Sequence, residues 1–279
     1  MKALLLSLVL LVVAGAALGV YFFYKEFWEK GEIQKEILSE LREEVFVIPE
    51  PVDEGALIFE AVEPQLREGL LEEARVQLEA VIRLYPDSAR TPEAKRIIGG
   101  LNLDRLFSRD PHESKRTVLV RSGDSLLKIA RQEDCTYHFL LKANGLTHPQ
   151  NLHPGEELVV ADLDFELEVD LEKGRVTLLR AGAFFCDYPI LGSKIPGRVR
   201  LPFRSKVVDK IAFVEGERIL LSDERYPSAS LRIRIGEQGM DLRPLPEAEQ
   251  EVFGGVFLSA ADLDELNALL RLGTPAMVY

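Results

Sequence analysis

Residues 117–161 read TVLVRSGDSLLKIARQEDCTYHFLLKANGLTHPQNLHPGEELVVA, and a strand signal and a helical signal alternate within them. Thr117 to Val120 is a β-branched, apolar run of strand type. Gly123 turns the chain. Asp124 or Ser125 then caps a helix by accepting a hydrogen bond from one of its free N–H groups. Leu126, Ile129 and Ala130 fall on one face of that helix at spacings of three and four. A second short helix runs from about Thr136 to Ala143 with Leu140 and Leu141 apolar. Asn144-Gly145 ends it, since both residue types tolerate the left-handed conformation of a helix C-cap. Leu152, Pro154-Gly155 and Leu158 to Val160 supply a turn and a closing strand. The pattern predicts a βααβ unit over 117–162.

Upstream, Ala3 to Tyr24 is an uncharged apolar run. A helix of that length, at about 1.5 Å per residue, reaches across a bilayer core of about 30 Å. Tyr21, Tyr24 and Trp28 suit an interfacial belt. Residues 1–25 are therefore expected to be a transmembrane anchor or signal, followed by a charged stalk and linker over 26–54 that Ile48-Pro49-Glu50-Pro51 interrupts. Residues 55–107 carry helical periodicity: Leu57, Ala61 and Val62, then Ala74, Leu78, Val81 and Ile82, then Ala94, Ile97, Ile98 and Leu101. Thr91 is placed as an N-cap and Pro92 at the first helical position. Residues 108–116 are a polar linker.

Downstream, Phe165 to Leu171 alternates apolar and acidic residues, the mark of a half-buried strand. Turns at Glu172 to Arg175 and Ala181-Gly182 make a meander, and more strands follow to Ile235. Ser259 caps a last helix through Leu270. The expected architecture is multidomain α+β: an N-terminal transmembrane helix, an α-helical hairpin, the βααβ module and a mostly-β C-terminal domain over 163–279.

The net charge is -12. Nucleic-acid binding needs a basic footprint that neutralises phosphates, so this class is excluded. Two cysteines, Cys135 and Cys186, are too few for a disulfide scaffold. No Cys/His spacing suggests a metal site, and no cofactor is expected.

Val118, Gly123-Asp124-Ser125-Leu126, Ile129-Ala130, Leu141, Asn144-x-Leu146, Leu152, Pro154-Gly155 and Leu158, in this order, resemble a LysM domain. The resemblance implies a βααβ fold that binds N-acetylglucosamine-containing glycans such as peptidoglycan, in a groove between two loops. Carried onto this chain, the groove is formed by Gly123, Asp124, Ser125 and Leu126 on one side. Asn144, Gly145, Leu146 and Thr147, running on to Asn151 and Leu152, form the other. Asp124, Leu126 and Leu146 also read as cap and core residues. His148 and His153 lie in or near the second loop.

Phe253-Gly254-Gly255-Val256-Phe257-Leu258-Ser259, with Asp262, Leu266, Leu270 and Gly273-Thr274-Pro275, resembles the YkuD-type L,D-transpeptidase domain, which cross-links peptidoglycan stems. In that family the stretch begins Ser-x-Gly-Cys-x-Arg. Here Gly255 holds the cysteine position, Phe257 the arginine position, and Ile235 the histidine position upstream. The four histidines are His112, His138, His148 and His153, none of them in this domain. A degenerate domain without enzymatic activity is therefore expected, serving as a binding module or scaffold. Arg232, Arg234 and Arg243 are placed near the former site. Glu73-Ala74, Leu84 to Ser88 and Glu93-Ala94 further resemble a tetratricopeptide-type hairpin, which implies a protein partner there. The reading is an envelope protein, anchored in the cytoplasmic membrane with its bulk outside the cytoplasm, that holds glycan. Two alternatives remain: an active transpeptidase with relocated residues, Cys186 among them, and a protein–protein scaffold acting through the helices.

Overall fold

The computed structural model describes residues 14–26, 31–32, 35, 52–146, 152–221, 223, 225–245 and 254–279. The chain divides into two units, Met1–Val52 and Asp53–Tyr279. In the first, residues 14–26 are helical and exposed. The expected transmembrane helix is corrected here: among the described residues no helix is long and apolar enough to cross a membrane. The rest of the apolar run, residues 1–13, and Trp28 lie outside the described residues.

The second unit opens with three helices: α1 (Glu54–Glu68), α2 (Leu71–Leu84) and α3 (Thr91–Phe107). Asp53 caps α1, its side chain accepting from the Ala56 N–H at 2.9 Å. Phe59, Val62, Ala74, Leu78, Val81, Ala94 and Ile98 form the core of this helical layer; on α1 the expected Leu57 and Ala61 are exposed, and Phe59 fills the core beside Val62. Thr91 differs from expectation. It is the first helical residue, and its hydroxyl donates to the Tyr85 carbonyl at 2.6 Å. The residue ties the end of α2 to the start of α3 instead of capping α3.

The βααβ unit follows: β1 (Lys115–Leu119), α4 (Leu126–Gln132), α5 (Tyr137–Asn144) and β2 (Glu157–Ala161). The strands pair antiparallel from Lys115↔Ala161 to Leu119↔Glu157. Ser125 and Thr136 cap the two helices. Gly145, at φ +65°, ends the second, its N–H reaching the Leu141 and Lys142 carbonyls.

The C-terminal half holds β3 (Phe165–Asp170), β4 (Arg175–Arg180), β5 (Ala183–Pro189), β6 (Gly192–Lys194), β7 (Phe203–Val214), β8 (Glu217–Ile219), β9 (Ser230–Ile235), β10 (Met240–Pro244), β11 (Gly255–Leu258), α6 (Ala260–Leu269) and β12 (Pro275–Val278). Ten strands make one sheet in the order β5-β4-β3-β12-β7-β9-β10-β11-β6, with β8 on β7. Pairings β3–β12 and β10–β11 are parallel. The unit is thus mixed α/β around one large sheet, with the helices mostly before residue 145 and the strands mostly after 163. Helix α3 lies against β5, where Asn102 Nδ2 donates to the Phe185 carbonyl at 2.8 Å.

The apolar face of the βααβ unit (Leu126, Ile129, Phe139, Leu140, Leu158, Val160) belongs to the same buried cluster as Leu167, Val169, Leu242, Leu258, Leu263 and Leu266 of the sheet layer. A module this small buries too little surface to be robust by itself. Docking on α6 supplies the missing apolar cover. Polar contacts fix the docking: Thr136 Oγ1 donates to the Ala268 carbonyl, and Arg271 pairs with the carboxylates of Asp134 and Asp164.

Candidate functional site

At one end of the βααβ unit the first loop named from the sequence lies beside the turn that leads into β2. Past β1, the Val120 N–H donates to the Glu156 carbonyl, and the Gly155 N–H donates back to the Val120 carbonyl, both at 2.9 Å. This pairing sets residues 121–125 beside residues 152–156. Gly123 turns the first loop at φ +81°, with open space where a Cβ would stand. Asp124 closes the turn: its carboxylate accepts from Lys128 Nζ at 2.8 Å and from the Arg121 N–H at 2.9 Å. These bonds, the Lys128 one foremost, hold the Asp124 carboxyl below the usual carboxylate range. Ser125 Oγ accepts from the Lys128 N–H. Leu126 points into the core.

In the second loop Asn144 is buried. Its Nδ2 donates to the Leu140 and Val159 carbonyls, both at 2.9 Å, and its Oδ1 accepts from the Val159 N–H at 2.7 Å. The side chain therefore acts as a clamp between α5 and β2. Gly145 is exposed and Leu146 half-buried. Leu152 is half-buried, and His153 is exposed with its Nδ1 3.2 Å from Glu156 Oε1. Thr147, His148 and Asn151 lie outside the described residues. Gly123 and Gly145 each expose loop backbone, and Leu146 and Leu152 are half-buried apolar residues of the second loop. Such a surface suits a sugar, whose acetamide takes backbone hydrogen bonds and whose methyl takes apolar cover.

Beside this end, His138 on α5 stacks on Tyr226, with ring centroids 5.4 Å apart and planes at 28°. Its Nε2 is buried without a hydrogen-bond partner. Burial, and then the Lys210 charge, push its pKa from 6.5 down to about 3. The unfolded chain therefore takes up this proton first. Stability is full above pH 6.5 and falls as the pH drops toward 3, by on the order of 4 kcal/mol in total. His138→Phe keeps the ring stack and removes the titration. Urea unfolding at pH 7 and pH 4.5 should show a smaller acid loss in the variant. An equal loss in both proteins would assign acid sensitivity to other groups.

The three transpeptidase-type positions lie across neighbouring strands. Ile235 ends β9 and is fully buried. Gly255 and Phe257 are on β11, separated from β9 by β10. Gly255 has φ +154°, and a Cβ there would stand 2.6 Å from the Asp241 carbonyl oxygen and 3.1 Å from Arg243 Cδ. A side chain does not fit without a shift of β10. Gly255→Cys is accordingly expected to destabilise the protein by about 1–3 kcal/mol through overpacking, measurable by denaturant unfolding. A neutral substitution would mean that β10 yields freely. Arg234 and Arg232 both face the buried Asp241, at 2.9 and 3.6 Å.

Neither thiol is exposed enough to be readily ionised. Cys186 is 1% exposed, with its Sγ 3.4 Å from the Tyr188 hydroxyl, and burial raises its pKa far above the ordinary thiol value. Cys135 is pushed up to about 12, burial again being the main cause. Since the thiolate is the reactive form, iodoacetamide at pH 8 should label neither cysteine before denaturation and both after it. Fast labelling of Cys186 in the folded protein would revive the relocated nucleophile.

A family model described as LysM domain matches residues 118–161. No curated protein matches the chain. Among solved structures, an L,D-transpeptidase from Stackebrandtia nassauensis is similar at 17% identity and TM-score 0.31, over 42% of this chain and 55% of that one. An L,D-transpeptidase from Mycobacterium smegmatis is similar at 12% and 0.30, over 42% and 58%. L,D-transpeptidase 1 of Mycobacterium tuberculosis is similar at 12% and 0.29, over 41% and 60%. The chain thus spans between half and three-fifths of these structures. These solved structures are enzymes, and the expectation that this chain is not an enzyme is not carried further. The tetratricopeptide likeness finds no support in these comparisons.

Proposed function

We propose that this protein binds peptidoglycan glycan in the cell envelope, through the 118–161 module held rigidly on a transpeptidase-like C-terminal half. The observation that carries the reading is the ordered run of loop and core residues from Val118 to Leu158, folded as a βααβ unit in which the Gly123 turn lies beside the turn into β2. On this reading Gly123, Asp124, Ser125, Gly145, Leu146, Thr147, Asn151 and Leu152 line the sugar groove. Leu126 and Asn144 support it from inside, one by filling the core and one by clamping β2. Segments 117–162 and 163–279 act as two domains that share one core.

Fixing the module to a larger body has an energetic purpose. A groove made of backbone loops binds modestly, and any freedom that it loses on binding weakens it further. The contacts of Thr136 with the Ala268 carbonyl and of Asp134 with Arg271 remove that freedom in advance. Co-sedimentation with purified sacculi tests the proposal, with soluble N-acetylglucosamine oligomers as competitors. Retention that the oligomers reverse supports it; a protein that stays in the supernatant refutes it.

A further inference from the structure

Between the end of α5 and the outer face of α6 lies a cleft of about 370 Å³, within the range of roughly 300–1,000 Å³ usual for small-ligand sites. Two of its wall residues, Gly145 and Leu146, belong to the glycan loop. The opposite wall is Asp264 and Ala268 of α6. Leu141 and Leu146 give the cleft an apolar lining. Its rim carries both signs of charge: Lys142 Nζ stands 3.6 Å from Asp264 Oδ2 and 4.0 Å from Glu265 Oε2. Both Lys142 and Asp264 are well exposed, so their mutual pairing is weak and exchangeable. His138 also lines the cleft, and its buried Nε2 has no hydrogen-bond partner.

We propose that this cleft takes the peptide part of a peptidoglycan strand whose sugars occupy the adjoining loop groove. The inference rests on the glycan reading and adds the second half of the ligand. A peptide fits where bare glycan does not. The chitin-type sugar chain is uncharged, whereas a stem peptide carries a carboxylate for Lys142, an amine for Asp264, and apolar side chains for Leu141 and Leu146. The continuity of Gly145 and Leu146 with both surfaces lets sugar and peptide bind as one ligand, so that the second contact acts at high effective concentration.

Calorimetric titration of the full chain with two soluble probes tests this. One is an N-acetylglucosamine hexamer. The other is a peptidoglycan oligomer of the same sugar length with tetrapeptide stems. The stem-bearing probe is expected to bind about five- to tenfold more tightly, the size of effect that a pair of partly exposed charged contacts gives. Asp264→Lys reverses one rim charge and should cut this preference to less than about twofold while the hexamer still binds. Lys142→Glu is the second reversal, used if Asp264→Lys disturbs α6 as judged by its thermal melt. Equal binding of both probes by the unmodified chain, or a preference that survives both reversals, overturns the cleft and leaves the glycan reading intact. Binding of the stem-bearing probe alone keeps the cleft and overturns the glycan loop. Binding of neither overturns both.

Discussion

The double variant Gly123→Val, Asp124→Ala is expected to lose sacculus binding while keeping its fold. The unmodified chain pellets with purified sacculi, and the variant stays in the supernatant. Gly123 holds φ +81°, a conformation that a β-branched residue adopts only as an outlier. Forcing it there costs about 1–3 kcal/mol. Asp124→Ala removes two hydrogen bonds that close the turn, to Arg121 and Lys128, at about 1 kcal/mol each. The loop escapes the strain by rearranging, because nothing surrounds it: a Cβ at Gly123 meets no atom within 4 Å. The core face of Leu126, Ile129 and Phe139 is untouched, so the far-ultraviolet circular dichroism should not change. If the ligand needs the native turn, about 3 kcal/mol of rearrangement weakens binding about 100-fold. A folded variant that still pellets like the unmodified chain would sink the glycan-binding assignment.

Asn144→Leu should produce the largest loss of stability among single changes in the module. Asn144 is 6% exposed and makes three hydrogen bonds. The leucine keeps the volume and strands the Val159 N–H and the Leu140 and Val159 carbonyl contacts. The lost bonds and the desolvated Val159 groups together amount to about 3 kcal/mol. For a protein of this size that corresponds to a fall in Tm of about 6–12 °C. Because Val159 is the middle residue of β2 and pairs with Thr117, the damage spreads to the two-stranded sheet and to the loop before it. Glycan affinity should fall along with Tm. A change of less than about 1 kcal/mol would show that β2 is held by its apolar contacts alone.

These two residues illustrate how legibility divides. Gly123 and Ser125 were readable because turn and cap chemistry is local: a glycine at positive φ and a serine accepting from an N–H three residues on need no partner elsewhere. Asn144 was read as a helix end and a groove residue, and only half of that is local. Its C-terminal position on α5 follows from the Asn-Gly pair, but its clamp on Val159 spans fifteen residues and depends on where β2 lies. The cleft was not legible at all. Asp264 and Ala268 are more than a hundred residues from Gly145, and nothing in either segment's periodicity says that α6 faces α5. Hydropathy marks an apolar run at the N-terminus, and among the described residues no helix is long and apolar enough to cross a membrane.

By itself, the sequence determined the βααβ order, its caps and turns, the helical layer of 54–107 and the strand-rich C-terminal half, since hydrophobic period and turn residues act through neighbours a few positions away. Tertiary structure alone decided that the βααβ unit shares a core with the large sheet, that Asn144 clamps β2, that a Cβ at Gly255 meets the Asp241 carbonyl, and that α5 and α6 enclose a cleft. Those facts depend on contacts between segments distant along the chain, where shape and burial set the free energy and no local pattern records them.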